Sequence, residues 1–320
     1  MKILGISAGT KNGIHDALVK EALLGAQEQG AEVEFVHLLD LKINPCTGCC
    51  ACVRGKTGAL SGGNGKCVFK NDDYPWMEEK MLEADGIVLG SPIFEKGLPG
   101  IVECLSDRGG PSHNLARLES SLRIREERGI TDADLEGPDP RSWKTRHIVY
   151  ISVGGSDWVK RVAADCELFG ILPQYRTVDN IVFPWGKRTL LDDSRIERVH
   201  EAGVALAKAV ADPDKAEYLG DPGICPNCHS RLMYLDDTAE YVTCLVCDIR
   251  GKLTAVDGKW KFSYTAEELE RAHNRMSGLR IHAQETRENE MALLEAMKTP
   301  EYAARRDKYV DMFPSSRPQK

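Results

Sequence analysis

The chain has 320 residues, of which 42% are hydrophobic and 28% are charged, the composition of an ordinary globular protein rather than a disordered one. Its formal net charge of −7 argues against the basic surface that nucleic-acid-binding proteins carry, so we expect no nucleic-acid partner. No apolar run approaches the ~20 residues that a membrane helix needs, and no signal-peptide pattern opens the sequence. We therefore expect a cytoplasmic protein without a membrane partner.

Five apolar runs are predicted to be strands, at residues 2–6, 33–38, 86–90, 147–153 and 178–183. Amphipathic segments separate them and are predicted to be helices; the first ends at Gly30 and the last covers residues 195–211. Strands and helices that alternate in this way form a parallel sheet covered on both faces. Five strands suit a flavodoxin-like, doubly wound α/β sheet better than the six-stranded dinucleotide-binding fold.

Three further regions complete the predicted domain organisation. Residues 109–146 are charged and too long for a simple connection, so we expect an insertion over the edge of the sheet. Because the composition changes after residue 212, we divide the chain into an α/β unit (1–212), a cysteine-bearing module (213–258) and a helical extension (259–320). Thr265 and Glu268 form a capping-box pattern, which predicts one helix that begins there and ends at Thr299-Pro300.

Two CxxC pairs in the cysteine-bearing module form a metal-binding pattern. Cys225 and Cys228 are followed, after fifteen residues, by Cys244 and Cys247. Two such knuckles bring four thiolates into a tetrahedron, with a predicted hairpin of residues 232–234 and 241–243 between them. We expect a structural zinc ribbon. The alternative is rubredoxin-like iron, which would add a one-electron relay.

Three loops follow predicted strand ends, where open parallel sheets bind their ligands. They cover residues 7–15, 91–97 and 154–157. The first offers small residues, hydroxyls and backbone N–H groups at a predicted helix N-terminus, which suits a phosphate. It matches neither GxxxxGK[ST] nor GxGxxG. From these residues alone, a structural turn and an anion site remain equally open.

Four motifs together resemble the NADPH-dependent FMN reductase family. Residues 6–13 (ISAGTKNG) resemble its first FMN-phosphate loop, and residues 91–97 (SPIFEKG), followed by Ser106-Asp107-Arg108, resemble its second loop and Asp–Arg tail. Residues 152–156 (SVGGS) are similar to its third loop. Residues 46–73, with Cys46-Thr47-Gly48-Cys49 at their start, resemble the cysteine loop of its iron–sulfur flavoprotein branch.

The resemblance implies a bound FMN, with NAD(P)H as co-substrate. No catalytic side chain is implied, because the flavin carries the redox chemistry. Lys11 and His15 are included as sources of positive charge, although an ordinary helix-start residue is the simpler interpretation of His15. The implied FMN contacts are Ser7, Gly9, Thr10, Lys11, Asn12, Gly13 and His15 at the phosphate, Pro92, Ile93, Phe94 and Glu95 around the isoalloxazine, and Gly154, Gly155 and Ser156 at its far edge.

The cysteine loop leaves three interpretations open. In iron–sulfur flavoproteins, which this stretch resembles, its spacing ligates a 4Fe–4S cluster, and the matching residues here are Cys46, Cys49, Cys52 and Cys67. Residues 54–66 make the last spacer longer than is usual in that branch, and Cys50 is an extra thiol. The second interpretation is a cluster-free loop beside the flavin, in which the cysteines are small buried residues of a turn. The third is a redox dithiol.

We predict an NAD(P)H-dependent FMN oxidoreductase that transfers hydride to a small organic acceptor, quinone-like, aromatic or flavin. The resemblance implies at least a homodimer. One alternative is an electron carrier with the 4Fe–4S cluster, supplied with electrons by a ferredoxin-like partner. Another, of a different class, is a redox-sensing interaction protein that uses the zinc ribbon. A brown chromophore would favour the electron carrier, and a plain yellow FMN spectrum the reductase.

Overall fold

Five parallel strands form the main sheet in the computed structural model, which describes residues 1–54, 62–238, 240–310, 312–313 and 315–316. The strand order is β2-β1-β3-β4-β5, the flavodoxin-like order. The predicted fold class and all five predicted strands are therefore confirmed. The strands are β1 (Lys2–Ser7), β2 (Glu32–His37), β3 (Gly86–Pro92), β4 (His147–Val153) and β5 (Arg176–Phe183).

Helices cover both faces of this sheet, as the continuous apolar strands require. α1 and α7 pack on one face, and α3, α4 and α6 pack on the other. α1 and α7 approach closely, because a Cβ on Gly203 would lie 1.8 Å from the carbonyl oxygen of Ala22. No helix of the described residues is both long and apolar enough to cross a membrane. The helices are α1 (Ile14–Glu28), α2 (Ala51–Arg54), α3 (Tyr74–Glu83), α4 (Gly100–Ser112), α5 (Leu115–Arg128), α6 (Val162–Ile171), α7 (Asp193–Ala211), α8 (Ala266–Glu270), α9 (Met276–Ala296) and α10 (Pro300–Val310).

The segment predicted as an insertion, residues 109–146, contains the end of α4 and the whole of α5. Asn114 caps α5 by accepting a hydrogen bond from the N–H of Arg117, and Gly129 ends it with a φ of +63°. α5 packs against α9, where Arg280 donates two hydrogen bonds of 2.8 Å to the carboxylate of Glu119. α5 therefore anchors the C-terminal extension on the α/β unit.

An antiparallel sheet of four strands follows the α/β unit, in the order β6-β7-β8-β9. The strands are β6 (Met233–Leu235), β7 (Val242–Cys244), β8 (Arg250–Val256) and β9 (Lys259–Ser263). The predicted hairpin between the CxxC pairs is present, shifted by one residue. The predicted module boundary at residue 258 is wrong, because it falls in a two-residue Asp257-Gly258 turn whose φ angles are +49° and +74°. The ribbon sheet continues to Ser263.

The predicted single helix after Thr265 is two helices, α8 and α9. Thr265 does cap the first by accepting a hydrogen bond of 3.2 Å from the N–H of Glu268. The chain then leaves the helix because the ribbon binds its backbone: the N–H of His273 donates to the carbonyl of Cys247 at 3.0 Å. Capping and periodicity along the helix give no sign of this tertiary hydrogen bond.

His147 begins β4 and makes folding dependent on pH. Its side chain is buried, and neither ring nitrogen has a hydrogen-bond partner among the described residues. Burial, reinforced by the nearby positive charge of Arg176, lowers its pKa from 6.5 to about 4. The unfolded chain binds a proton near pH 6.5 and the folded chain only near pH 4, so stability is lost as the pH falls between these values.

We expect urea unfolding at pH 7 and pH 5 to show this loss of stability. His147→Gln removes the proton-binding group and should remove part of the histidine-dependent loss, because burial also lowers the pKa of His15 to about 4 and lowers the pKa values of His229 and His282. An equal loss of stability in the variant and the wild type would contradict this assignment.

Candidate FMN and metal sites

Asp16 organises the first loop from the first turn of α1. Its Oδ1 accepts a hydrogen bond of 2.5 Å from the Ser7 hydroxyl, and its Oδ2 accepts one of 2.7 Å from the N–H of Asn12. His37 lies 3.0 Å from Oδ1 on the neighbouring strand. Burial alone would raise the pKa of Asp16, but the hydrogen bonds together lower it by a larger amount, so the net pKa shift is downward. Asp16 therefore connects the Ser7 hydroxyl to the backbone of the loop. Sequence reasoning did not identify Asp16 as a site residue.

The first loop leaves donors free for an anion. Within the described residues, the N–H groups of Gly9, Thr10 and Lys11 donate to no protein atom, and they precede the N-terminus of α1. The loop closes through the N–H of Gly13, which donates to the carbonyl of Thr10 at 2.8 Å. Free N–H groups beside a helix N-terminus suit a phosphate. This part of the structure therefore fits the phosphate of FMN.

Neither of the two predicted sources supplies a free positive charge to the loop. Lys11 forms an ion pair with Asp40 at 2.7 Å on the surface. His15 has a buried Nε2 without a partner among the described residues, and burial lowers its pKa to about 4. It is neutral at pH 7. The helix N-terminus and the free N–H groups therefore supply the attraction for an anion.

The second loop is a tight hairpin at the carboxyl end of β3. Phe94 and Gly97 exchange two backbone hydrogen bonds, of 3.0 and 2.8 Å. Between them, Glu95 and Lys96 have φ angles of +48° and +69°, as in a type I′ turn. Ile93 remains bonded to β4 through the carbonyl of Val153. The turn holds the Phe94 ring 61% exposed at the edge of the sheet.

The third loop follows β4. A Cβ on Gly154 would lie 2.5 Å from a methyl group of Val159, whereas a Cβ on Gly155 would meet nothing within 4 Å. Gly154 is therefore required for packing and Gly155 leaves space for a ligand. The carbonyl of Ser156 accepts a hydrogen bond from the N–H of Trp185, which joins this loop to the end of β5.

Three exposed aromatic side chains lie in or directly after the loops at this end of the sheet. Phe94, Trp158 and Trp185 are 61%, 56% and 65% exposed, and we name them the aromatic rim. The Nζ of Lys96 lies 4.9 Å from the centroid of the Trp158 ring. Exposed aromatic rings at the ligand-binding end of a sheet suit a planar ligand. Sequence reasoning identified Phe94 but missed both tryptophans, because they lie in loops without a periodic pattern.

The crowded cysteine loop lies at the surface. Cys46, Cys49 and Cys50 are exposed and Cys52 is half-buried, so the expectation of small buried cysteines is wrong. The first thiols of the loop form hydrogen bonds only with neighbouring residues of the chain. For example, the N–H of Gly48 donates to the Sγ of Cys46. Burial and, to a smaller extent, the neighbouring cysteines raise the pKa of Cys52 to about 11. That shift disfavours the thiolate that a redox dithiol needs.

Arg108, on α4, donates a hydrogen bond to Cys67. One Nη of this buried guanidinium contacts the carboxylate of Asp72, and the other donates to the Sγ of Cys67 at 3.3 Å. Seven residues of the long spacer, 55–61, lie outside the described residues. The other cysteines of this loop, Cys67 included, all raise the pKa of Cys52, so these thiols lie close enough to interact and the loop is compatible with a metal centre.

The ribbon brings its four cysteines together as predicted. Cys225, Cys228, Cys244 and Cys247 are buried, with their Sγ atoms within 4.8 Å of one another. The closest pairs are 3.4 and 3.7 Å apart, near the ~3.8 Å that a tetrahedron with Zn–S bonds of ~2.3 Å requires. The two knuckles repeat one geometry, because His229 and Asp248 each donate their N–H to the first cysteine of the pair. His229 itself stacks on Tyr218, with ring centroids 3.9 Å apart.

Comparison with known proteins agrees with this geometry. The family model of the NADPH-dependent FMN reductases matches residues 1–165. A solved structure of a flavone reductase is 39% identical, covers 100% of this chain and of its own, and has a TM-score of 0.86. This likeness therefore includes the ribbon and the helical extension.

Two curated relatives match different lengths of the chain. A flavone synthase of Aspergillus candidus is 26% identical over 306 residues, 89% of this chain and 88% of its own length. An iron–sulfur flavoprotein of Methanocaldococcus jannaschii is 40% identical over 112 residues, 35% of this chain and 53% of its own. The chain thus spans about half the length of that iron–sulfur flavoprotein.

Proposed function

The chain belongs to the NADPH-dependent FMN reductase family, and we propose that, as an FMN-dependent oxidoreductase, it reduces the conjugated carbon–carbon double bond of a flavone-like aromatic ketone. The balanced reaction is NAD(P)H plus a proton plus the unsaturated ketone, giving NAD(P)⁺ and the dihydro ketone. The observation that carries this proposal is the 39% identity to a flavone reductase over the whole chain, including the parts that the family model does not match.

Each of the three loops would bind a different part of FMN. The free N–H groups of the first loop would hold the phosphate, and the second and third loops would border the ring. When bound, FMN would supply two-electron hydride transfer between the nicotinamide and the acceptor. The aromatic rim would then hold the flat acceptor by ring contacts, and Lys96 beside Trp158 adds a positive charge that suits a carbonyl oxygen.

The test is an anaerobic assay of the FMN-loaded protein with flavone and either NADH or NADPH. We expect a product two hydrogen masses heavier than flavone, in an amount equal to the nicotinamide oxidised. If menadione is reduced while flavone is not, the protein is a general flavin reductase and the flavone proposal fails.

Trp158→Ala tests the role of the aromatic rim. Since a ring contact contributes about 0.5–1.5 kcal/mol, the KM for flavone should rise roughly 3- to 10-fold while the KM for NAD(P)H changes little. The matched control is Trp260→Ala, which removes an equally exposed tryptophan from β9 of the ribbon. Equal KM values for flavone in the two variants would contradict acceptor binding at the rim.

The iron–sulfur electron carrier is the second candidate function. Its support is the identity of 40% to an iron–sulfur flavoprotein over 112 residues, together with the cysteine loop, which resembles that branch of the family. Metal and acid-labile sulfide analysis of anaerobically purified protein separates the two candidates. Iron and sulfide near four per chain would favour the carrier, and their absence would remove it.

A further inference from the structure

A cavity of about 360 Å³ lies between the α/β unit and the ribbon. This volume falls in the roughly 300–1,000 Å³ range of small-molecule sites. None of the residues predicted to contact FMN lines the cavity. The walls are apolar side chains from α6, β5, the neighbouring loops and the ribbon, namely Val159, Ala163, Val182, Pro184 and Leu232.

The polar part of the cavity offers acceptors. The Nδ2 of Asn180 donates to the carbonyl of Ala163 at 2.9 Å and to Oε1 of Glu167 at 2.8 Å. Because both of these partners are acceptors, the amide nitrogen must face them, and the amide oxygen, Oδ1, must face the opposite way. That oxygen is buried and accepts no hydrogen bond from the described residues. A buried acceptor without a donor is costly, and a ligand that donates a hydrogen bond would remove the cost.

Glu167 adds acceptor capacity beside Asn180. Its Oε2 accepts a hydrogen bond of 2.7 Å from Thr177, and each carboxylate oxygen retains a further lone pair. Burial raises the pKa of Glu167 to about 6, although the hydrogen bonds from Thr177 and Asn180 lower it. The carboxyl is therefore removed from bulk water and available to a donor inside the cavity.

The remaining lining favours a flat and neutral ligand. Tyr218 and His229 stack with an angle of 2° between their rings and form an aromatic wall. Lys160 and Arg231 both line the cavity, and Asp221 neutralises only Arg231, through hydrogen bonds of 2.6 and 2.7 Å. The carboxylate of Glu167 is mostly ionised at pH 7 and balances the charge of Lys160, so the lining carries no net charge and favours neither a cation nor an anion.

We propose that this cavity is a second small-molecule site, which binds a neutral phenol. The ring lies among the apolar walls, and the hydroxyl donates to Oδ1 of Asn180 or to the carboxyl of Glu167. Val159 and Lys160 follow the third FMN loop after one residue, Trp158, so an occupant stiffens the segment next to the flavin without contacting it. The proposal does not depend on the identity of the electron acceptor.

Calorimetric titration of the FMN-loaded, metal-loaded full chain with p-cresol tests the proposal. 4-Methylanisole is the control ligand, because it has the same ring and methyl group but no donor. We expect p-cresol to bind about 3- to 10-fold more tightly, the factor that one hydrogen bond supplies. Equal affinity for the two compounds, or no heat with p-cresol up to 10 mM, on the order of the weakest binding that such a site would show, overturns the proposal.

Ala163→Leu locates the site by filling the cavity from α6. We expect it to weaken p-cresol binding at least tenfold, while FMN content and thermal stability show that the protein is folded and loaded. Ala292→Leu makes the same change on an exposed face of α9 and should leave binding unchanged. Unchanged p-cresol binding in Ala163→Leu would place the ligand elsewhere, for example on the aromatic rim, and would refute the assignment.

Discussion

Thr10→Glu is expected to weaken FMN binding at least tenfold. Thr10 is exposed, and its N–H is one of the free donors of the first loop, so a carboxylate there would lie next to the phosphate. Two unit charges about 5 Å apart repel by roughly 3 kcal/mol at an effective dielectric constant of 20. Solvent exposure and salt reduce this repulsion, and a factor of about ten in Kd remains as the lower bound.

Thr10→Gln is the matched control, because it has the size and shape of glutamate without the charge. Its Kd for FMN should stay within about twofold of the wild type. Equilibrium dialysis of the apoprotein with FMN at 50 and 500 mM salt measures both variants, and salt should narrow the difference between them. Equal weakening by glutamate and glutamine would show that bulk, not charge, matters at residue 10. Unchanged affinity in both would show that the phosphate lies elsewhere.

The sheet was predictable because its strands are continuous apolar runs, and such runs indicate buried strands without any knowledge of long-range contacts. His147–Val153 is buried at every position, so its sequence alone indicates a central strand. The positions of the three ligand loops follow from the same reasoning, because the carboxyl ends of parallel strands meet at one edge. The four ribbon cysteines were equally predictable, since a metal site prescribes its own spacing.

Long-range contacts account for what sequence reasoning missed. Asp16 reads as an ordinary acidic residue in the first turn of a helix, and only the fold places it against Ser7 and His37. The break between α8 and α9 depends on the carbonyl of Cys247, more than twenty residues before the second helix. Likewise, the hydrogen bond from Arg108 to the sulfur of Cys67 joins residues 41 positions apart, and nothing in the cysteine spacing indicates it.

These differences separate two kinds of cysteine in one chain. The ribbon thiols are buried, lie close together and come from two rigid knuckles, so a metal ion would find its ligands already in place. The thiols of the cysteine loop are mostly exposed, and seven residues of its long spacer, 55–61, lie outside the described residues. We therefore expect purified protein to contain one zinc per chain, bound by the ribbon.

Cys244→Ser is expected to remove that zinc and unfold the ribbon. Serine is a poor zinc ligand, and zinc binding contributes roughly 10–16 kcal/mol to the folding of small modules of this kind. Calorimetry should show a new unfolding transition at low temperature, and elemental analysis should show zinc near zero. Cys50→Ser is the matched control, because it removes an exposed thiol from the cysteine loop and should keep both the zinc and the wild-type transition.

The FMN content distinguishes a local defect from general unfolding. The ribbon packs on α6 through Ala164, while the first phosphate loop lies between β1 and α1. Cys244→Ser should therefore retain most of its FMN after the ribbon has unfolded. Full zinc content in Cys244→Ser would contradict the four-cysteine site. Iron in place of zinc in the wild type, with the absorption of a ferric thiolate centre, would instead show a one-electron centre in the ribbon.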